Sequence, residues 1–173
     1  NPEKLHSLDS SFASYQLNAG IAKSPLSMSK ALNLSHAEHM KLASRCSELG
    51  VEYMCTAFDI DSLSFLDNEV EIKRFKIPSG ELLSLDLLQY VAKRRKPIIV
   101  STGMADYHEI AEALRVIDPG RSQDLVVLHC VSNYPTPAED VNLKGMLELE
   151  KRFGRKVGFS DHTLGNDAAL AAV

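Results

Sequence analysis

Cysteine is scarce in this sequence, and what there is does not pair. Cys46, Cys55 and Cys130 are odd in number and far apart, which matches neither a disulfide framework nor the spacing of a zinc site. A basic excess is lacking too. The net charge of −4 gives no support to nucleic-acid binding, which calls for clustered cationic residues. No apolar run approaches the roughly 20 residues of a membrane-spanning helix, so no membrane partner is expected. No secretory stretch precedes the first helical pattern, and with unpaired cysteines the expected location is a reducing cytoplasm. Periodicity is missing at the start: residues 1–34, rich in Ser, Asn, Leu and Ala, are expected to be an irregular or linker-like segment. At the other end "DAALAAV" stops inside a helical pattern, so the sequence reads as a piece of something longer.

What is present is a composition of 45% hydrophobic and 24% charged residues over 173 positions, enough for one medium domain with its own core. From residue 35 onward helix and strand patterns alternate. Ser35 and Glu38 form a capping box ahead of Met40, Leu42, Ala43, Cys46 and Leu49, and Gly50 is placed to end that helix. "VEYMCTAF" has the branched and aromatic content of a strand. A short helix is expected from Asp61 to about Asn68, a second strand over Ile72–Pro78, and a helix over Leu85–Arg95. "KPIIVSTG" is the third strand; its Ile98-Ile99-Val100 run suits a parallel strand covered on both faces. Asp106 and Glu109 form another capping box, opening a helix with Ile110, Leu114 and Ile117. A fourth strand over Asp124–Cys130, a helix from Leu143 to about Phe153 stopped by Gly154, a fifth strand "KVGFS" and a helix capped by Asn166 complete the pattern.

Such alternation builds a parallel sheet, either an open doubly wound sheet or a (β/α)8 barrel. Polar residues follow every expected strand: Thr56; Ser79 and Glu81; Ser101 and Thr102; Ser132, Asn133 and Tyr134; Ser160, Asp161 and His162. An open sheet gathers its site at one switch point, whereas a barrel draws on many strand ends. The pattern therefore favours a barrel, and five βα units make it an incomplete one over residues 35–173. Other polar residues read as structural. His36 and His39 share a helix face with no third ligand in view, so a solvated surface is expected. Lys93–Lys96 suits the negative end of a helix dipole. His129 and Cys130 are expected to pack, and Asp161 to cap or orient its neighbours.

Four stretches, "FKIPSGE", "PIIVSTGM", "LHCVSNYPTP" and "GFSDHT", in that order, closely resemble the motifs of the N-acetylneuraminate (sialic acid) synthase family, which includes legionaminate, pseudaminate and spore-coat polysaccharide relatives. The resemblance covers residues 35–173. It implies a TIM barrel, normally followed by an antifreeze-like domain that this sequence lacks. It implies a transferase of sialic acid and polysaccharide biosynthesis, a homodimer when full-length. That enzyme condenses phosphoenolpyruvate with an open-chain N-acyl hexosamine, of the N-acetylmannosamine type, to a nine-carbon 2-keto acid with release of phosphate. Carried over residue by residue, Lys76 holds phosphoenolpyruvate and takes part in catalysis. Ser79, Ser101, Ser132, Tyr134 and Ser160 serve its phosphate and carboxylate, with Asn133 beside Ser132, where relatives have Asn. Glu81 handles the proton, Thr56 faces the sugar, and His162 is one of two histidine ligands to a divalent metal, Mn2+ or Mg2+. The second histidine is expected on a strand after Val173. Two alternatives stay open: a truncated barrel acting as a non-catalytic binding or scaffold module, and another phosphoenolpyruvate-dependent aldolase.

Overall fold

The computed structural model describes residues 2–5, 24–120 and 124–173. The chain divides into two compact units, Asn1–Tyr53 with Phe58–Glu71, and Met54–Ala57 with Ile72–Val173.

The first unit is helical: α1 (Pro2–Leu5), α2 (Pro25–Leu32), α3 (His36–Glu48) and α4 (Ile60–Asn68). Within the stretch expected to be irregular, Pro25–Leu32 is a helix. Its start signal is local: Ser24 and Ser27 form a reciprocal capping pair, and Pro25 sits where its missing N–H costs nothing. A Ser at the third helical position does this work in place of the usual Glu or Gln, so the pattern is easily overlooked. The expected capping box of α3 is present, with Ser35 Oγ accepting from Glu38 N–H and the Glu38 carboxylate accepting from Ser35 N–H at 2.7 Å. Ser35→Ala is expected to cost about 1 kcal/mol, read as faster hydrogen exchange of the amides in the first turn of α3. His36 and His39 are not merely solvated. His36 stacks on Phe65 of α4 at 3.7 Å between ring centroids, His39 meets the same ring edge-on at 6.0 Å, and His39 Nδ1 lies 2.6 Å from the Tyr53 hydroxyl. They fasten α3 to α4.

The second unit is α/β. Strands β1 (Phe75–Ile77), β2 (Ile98–Ser101), β3 (Leu125–His129) and β4 (Lys156–Phe159) form one parallel sheet in chain order. They alternate with α5 (Leu85–Arg94), α6 (Tyr107–Ile117) and α7 (Lys144–Phe153), and α8 (Asp167–Ala171) follows. The strand expected over "VEYMCTAF" is not formed: residues 51–57 join no ladder, so the described residues hold four strands rather than five. Branched and aromatic content reports compatibility with a pleated, half-buried surface, and a strand needs a hydrogen-bonded neighbour besides. Gly154 ends α7 in the left-handed conformation at φ 57°, as its position predicts. Asn166 precedes α8 but makes no side-chain cap.

Alternation divides the sheet into two faces. Phe75, Ile77, Ile98, Val100, Leu125 and Val127 are all buried. They form a core with Leu87, Leu88 and Val91 of α5, Ile110, Ala113, Leu114 and Ile117 of α6, and Leu149 of α7, also buried. Each large apolar side chain so covered contributes about 1.5–3 kcal/mol. The opposite face carries Lys76, Ile99, Ser101, Val126, Leu128 and Gly158. The register pairs Lys76 with Ile99 and Ser101 with Leu128, so these residues lie in adjacent rows of that face. At the N-terminal ends of the strands, Asp118 after α6 meets Arg155 before β4 at 2.9 Å, with the two side chains 1% and 10% exposed.

Candidate active site

Three small groupings of polar side chains stand at the C-terminal ends of the strands. The first is Lys76 with Ser101. Lys76 lies between two core residues of β1, so alternation turns its side chain away from the helices. Its Nζ donates to Ser101 Oγ at 2.5 Å and to the Ile77 carbonyl at 3.1 Å. Burial pushes the ammonium pKa below that of an ordinary lysine, partly offset by the Cys130 thiol nearby. A half-buried ammonium with only neutral hydrogen-bond partners is ready for an anion.

The second grouping is built around Gly103, just past β2. It has φ +50°, and a Cβ placed on it would fall 2.5 Å from Ser79 Oγ and 2.7 Å from Ser132 Oγ. Two hydroxyls, from the loops after β1 and β3, thus converge on a spot that only a glycine leaves open. Ser79 lies in a short 3-10 turn, Ser79–Glu81. The N–H of Gly103 donates to Cys130 Sγ at 3.2 Å, and Cys130 is 4% exposed.

The third is His162 with Ser160 and Tyr134. Ser160 N–H donates to the His129 carbonyl at 2.9 Å, prolonging the β3–β4 ladder and placing the hydroxyl at its end. His162 Nδ1 lies 2.7 Å from the Val131 carbonyl. A carbonyl only accepts, so Nδ1 carries the proton and Nε2 presents its lone pair. That lone pair faces Ser160 Oγ at 3.3 Å, and the Tyr134 ring packs over the imidazole at 4.3 Å between centroids. Backbone-oriented imidazoles of this kind suit a metal ligand. Among the described residues, no group of three or more His, Cys, Asp or Glu converges as a metal site, so His162 stands as a single donor.

Other expected site residues are not drawn in. Glu81 accepts from the Ser84 hydroxyl. Among the described residues, Thr56, Glu81 and Asn133 hydrogen-bond to no other member of the expected set. Asn133 contributes its carbonyl, which accepts from Thr136 Oγ1 at 2.9 Å. Thr102 turns its hydroxyl to the Leu128 carbonyl at 3.1 Å and is buried there. Asp161 takes the Thr163 N–H at 2.8 Å, and that bond lowers its carboxyl pKa. The packing role expected of His129 holds: its Nε2 is 2.8 Å from the Val141 carbonyl and its ring lies along Phe159. Gly103 and the thiol of Cys130 are what residue-type reasoning passes over. The available signal is the glycine directly after the strand-ending Ser101-Thr102.

A model of the NeuB family matches residues 1–173. The chain belongs to the NeuB family. The match includes residues 1–34, where the sequence shows no motif. Among its relatives, an N,N'-diacetyllegionaminic acid synthase of Legionella pneumophila is 44% identical over 158 residues, which is 88% of this chain and 44% of that one. A second protein of that name, from Campylobacter jejuni, is 42% identical over 93% of this chain and 49% of its own length. Of solved structures, the N-acetylneuraminic acid (sialic acid) synthetase of Leptospira borgpetersenii, in complex with citrate, superposes with a TM-score of 0.82 at 27% identity. It covers 91% of this chain and 54% of that one. The chain thus spans less than half the length of these curated NeuB-family relatives. Its α/β sheet of parallel strands superposes on that sialic acid synthetase.

Proposed function

We propose that the protein condenses phosphoenolpyruvate with an open-chain N-acyl hexosamine of the N-acetylmannosamine type. The product is a nine-carbon 2-keto acid, and phosphate is released. The observation that carries this reading is two pairs of polar groups at the carboxyl ends of neighbouring parallel strands: the Lys76 ammonium on Ser101 Oγ, and the hydroxyls of Ser79 and Ser132 about Gly103. That is one cation and several neutral donors, which suits a small ligand bearing phosphate and carboxylate. In this reading the four strands are one arc of a (β/α)8 barrel, in which strand ends hold the site. Two curated relatives, 44% and 42% identical, are named for diacetyllegionaminic acid. A diacetylated amino-sugar is therefore the narrower expectation.

In this reading Lys76 and Ser101 hold one anionic end of phosphoenolpyruvate, while Ser79, Ser132 and Ser160 orient the other. Tyr134 and Asn133 border the same rim, and Thr56 faces the sugar. Fixing the enol against the aldehyde turns a bimolecular encounter into a positioned one. C3 of the enol forms the new carbon–carbon bond to the aldehyde carbon. Water adds at C2, its oxygen becomes the keto oxygen, and the C2–O bond to phosphate breaks. Of that water's two protons, Glu81, held by Ser84, passes one to the oxygen of the former aldehyde, and the other leaves with the phosphate. Nε2 of His162 would be one donor to a divalent ion, Mn2+ or Mg2+, which would supply Lewis-acid polarisation of the aldehyde.

The test is phosphate release by the full-length protein with Mn2+ or Mg2+, phosphoenolpyruvate and a panel of N-acetylated and diacetylated hexosamines. Equal amounts of phosphate and 2-keto acid are expected with at least one sugar. Absence of sugar-dependent phosphate release across the panel would sink the assignment.

A further inference from the structure

We infer that Cys130 is a positioning residue of the anion site, acting through the backbone of Gly103. This deepens the function proposed above and rests on it. The thiol is buried at 4% exposure. Its sulfur takes the Gly103 N–H at 3.2 Å. Gly103 is the residue whose missing Cβ leaves the gap between Ser79 Oγ and Ser132 Oγ.

Cys130 supplies the acceptor for the N–H side of the turn at Gly103. Gly103 follows β2 in the left-handed region, and its neighbour Thr102 is already pinned, N–H and hydroxyl both on the Leu128 carbonyl at 3.1 Å. The peptide plane entering Gly103 is held at both ends: its Thr102 carbonyl accepts from Ala105 N–H at 3.0 Å, and its Gly103 N–H donates to Cys130 Sγ. If that plane rotates, the Gly103 backbone moves within the gap between Ser79 and Ser132, a gap too narrow for a side chain, since a Cβ there would lie 2.5 Å from Ser79 Oγ and 2.7 Å from Ser132 Oγ. Two hydroxyls from different loops then lose their common spacing. The same thiol also acts on the other half of the site, because its electrostatic influence opposes the burial that lowers the Lys76 pKa. Cys130 directly follows β3, within two residues of Ser132, so one side chain couples the loops after β1, β2 and β3. A purely apolar filler of equal size would pack there equally well, yet it would leave the Gly103 N–H without an acceptor.

The experiment uses the full-length protein with Cys130→Ala and Cys130→Ser. Hydrogen exchange at the Gly103 amide is read by mass spectrometry or NMR, and phosphoenolpyruvate and inorganic phosphate binding by calorimetry. In Cys130→Ala the Gly103 amide should exchange at least tenfold faster. Affinity for phosphoenolpyruvate should fall about tenfold, and its KM should rise while the KM for the sugar stays within twofold. Cys130→Ser restores an acceptor and should recover most of both losses. Equal impairment of the two variants, an unchanged Gly103 amide in Cys130→Ala, or equal rises in both KM values would overturn the inference in favour of plain packing. If the wild-type protein binds no phosphoenolpyruvate, the functional reading fails instead, while the amide exchange still decides whether Cys130 holds Gly103.

Discussion

Replacing Lys76 with alanine in the full-length protein is expected to weaken phosphoenolpyruvate binding by roughly 10²–10³-fold, the equivalent of about 3–4 kcal/mol for truncating one side of a desolvated charged hydrogen bond. Lys76→Arg should not rescue it. The space beside Ser101 and the Ile77 carbonyl holds a compact ammonium, and a planar guanidinium is a different shape. Stability should move the other way. Burial lowers the Lys76 pKa in the folded protein, so the folded state holds this proton less tightly than the unfolded chain. That is a cost to folding at pH values below the folded pKa. It is relieved as pH rises through the folded pKa towards the ordinary lysine value of about 10.4. Lys76→Met should therefore melt at or above the wild-type temperature near neutral pH, and the gap should close in alkali. Anion binding needs the ammonium, so wild-type affinity should decline on an alkaline limb below the ordinary lysine range. Binding by Lys76→Ala within tenfold of wild type would contradict the assigned role.

The second large effect lies at the other end of the strands. Asp118→Ala strands the Arg155 guanidinium, which also donates to the Asp118 carbonyl at 3.3 Å, in a site where its side chain is 10% exposed. Removing one partner of a buried ion pair costs about 3–5 kcal/mol, a drop in thermal midpoint on the order of 10 °C for a domain of this size. The pair Asp118→Leu with Arg155→Met removes both charges and should recover most of the loss. The folded fraction of each variant should bind phosphoenolpyruvate as the wild type does, because this pair precedes β3 and β4 whereas the candidate site follows them. A single variant within about 1 kcal/mol of wild type would mean that water reaches the pair.

What could be read from the sequence follows how local each determinant is. The capping boxes at Ser35 and Asp106 act within one turn, and both are present with their bonds. The Ile98–Val100 run marks a strand because both neighbours in the sheet need the same pattern. The serines after the strands, Lys76 and His162 were legible as motifs of a family, and the structure gives three of the groupings a geometry. The stretch 51–57 could not be settled locally, because a strand is completed by its partner. Nor could the bonds across long separations: Gly103 to Cys130, 27 residues apart, and His162 to the Val131 carbonyl, 31 apart. Residue types name the candidates there, and only packing says which atoms meet.

The pairing of Phe75 with Ile98 and Ile77 with Val100 has a further consequence. A slip of one residue would turn Lys76 in among the helices and push Phe75 and Ile77 out beside Ser101, since side chains alternate strictly. A compact but mispaired sheet therefore cannot keep an ammonium at the rim. Under the proposed function, binding of phosphoenolpyruvate would double as a proofreading mark for this sheet. It can serve to distinguish correctly folded protein from collapsed protein of the same helix content.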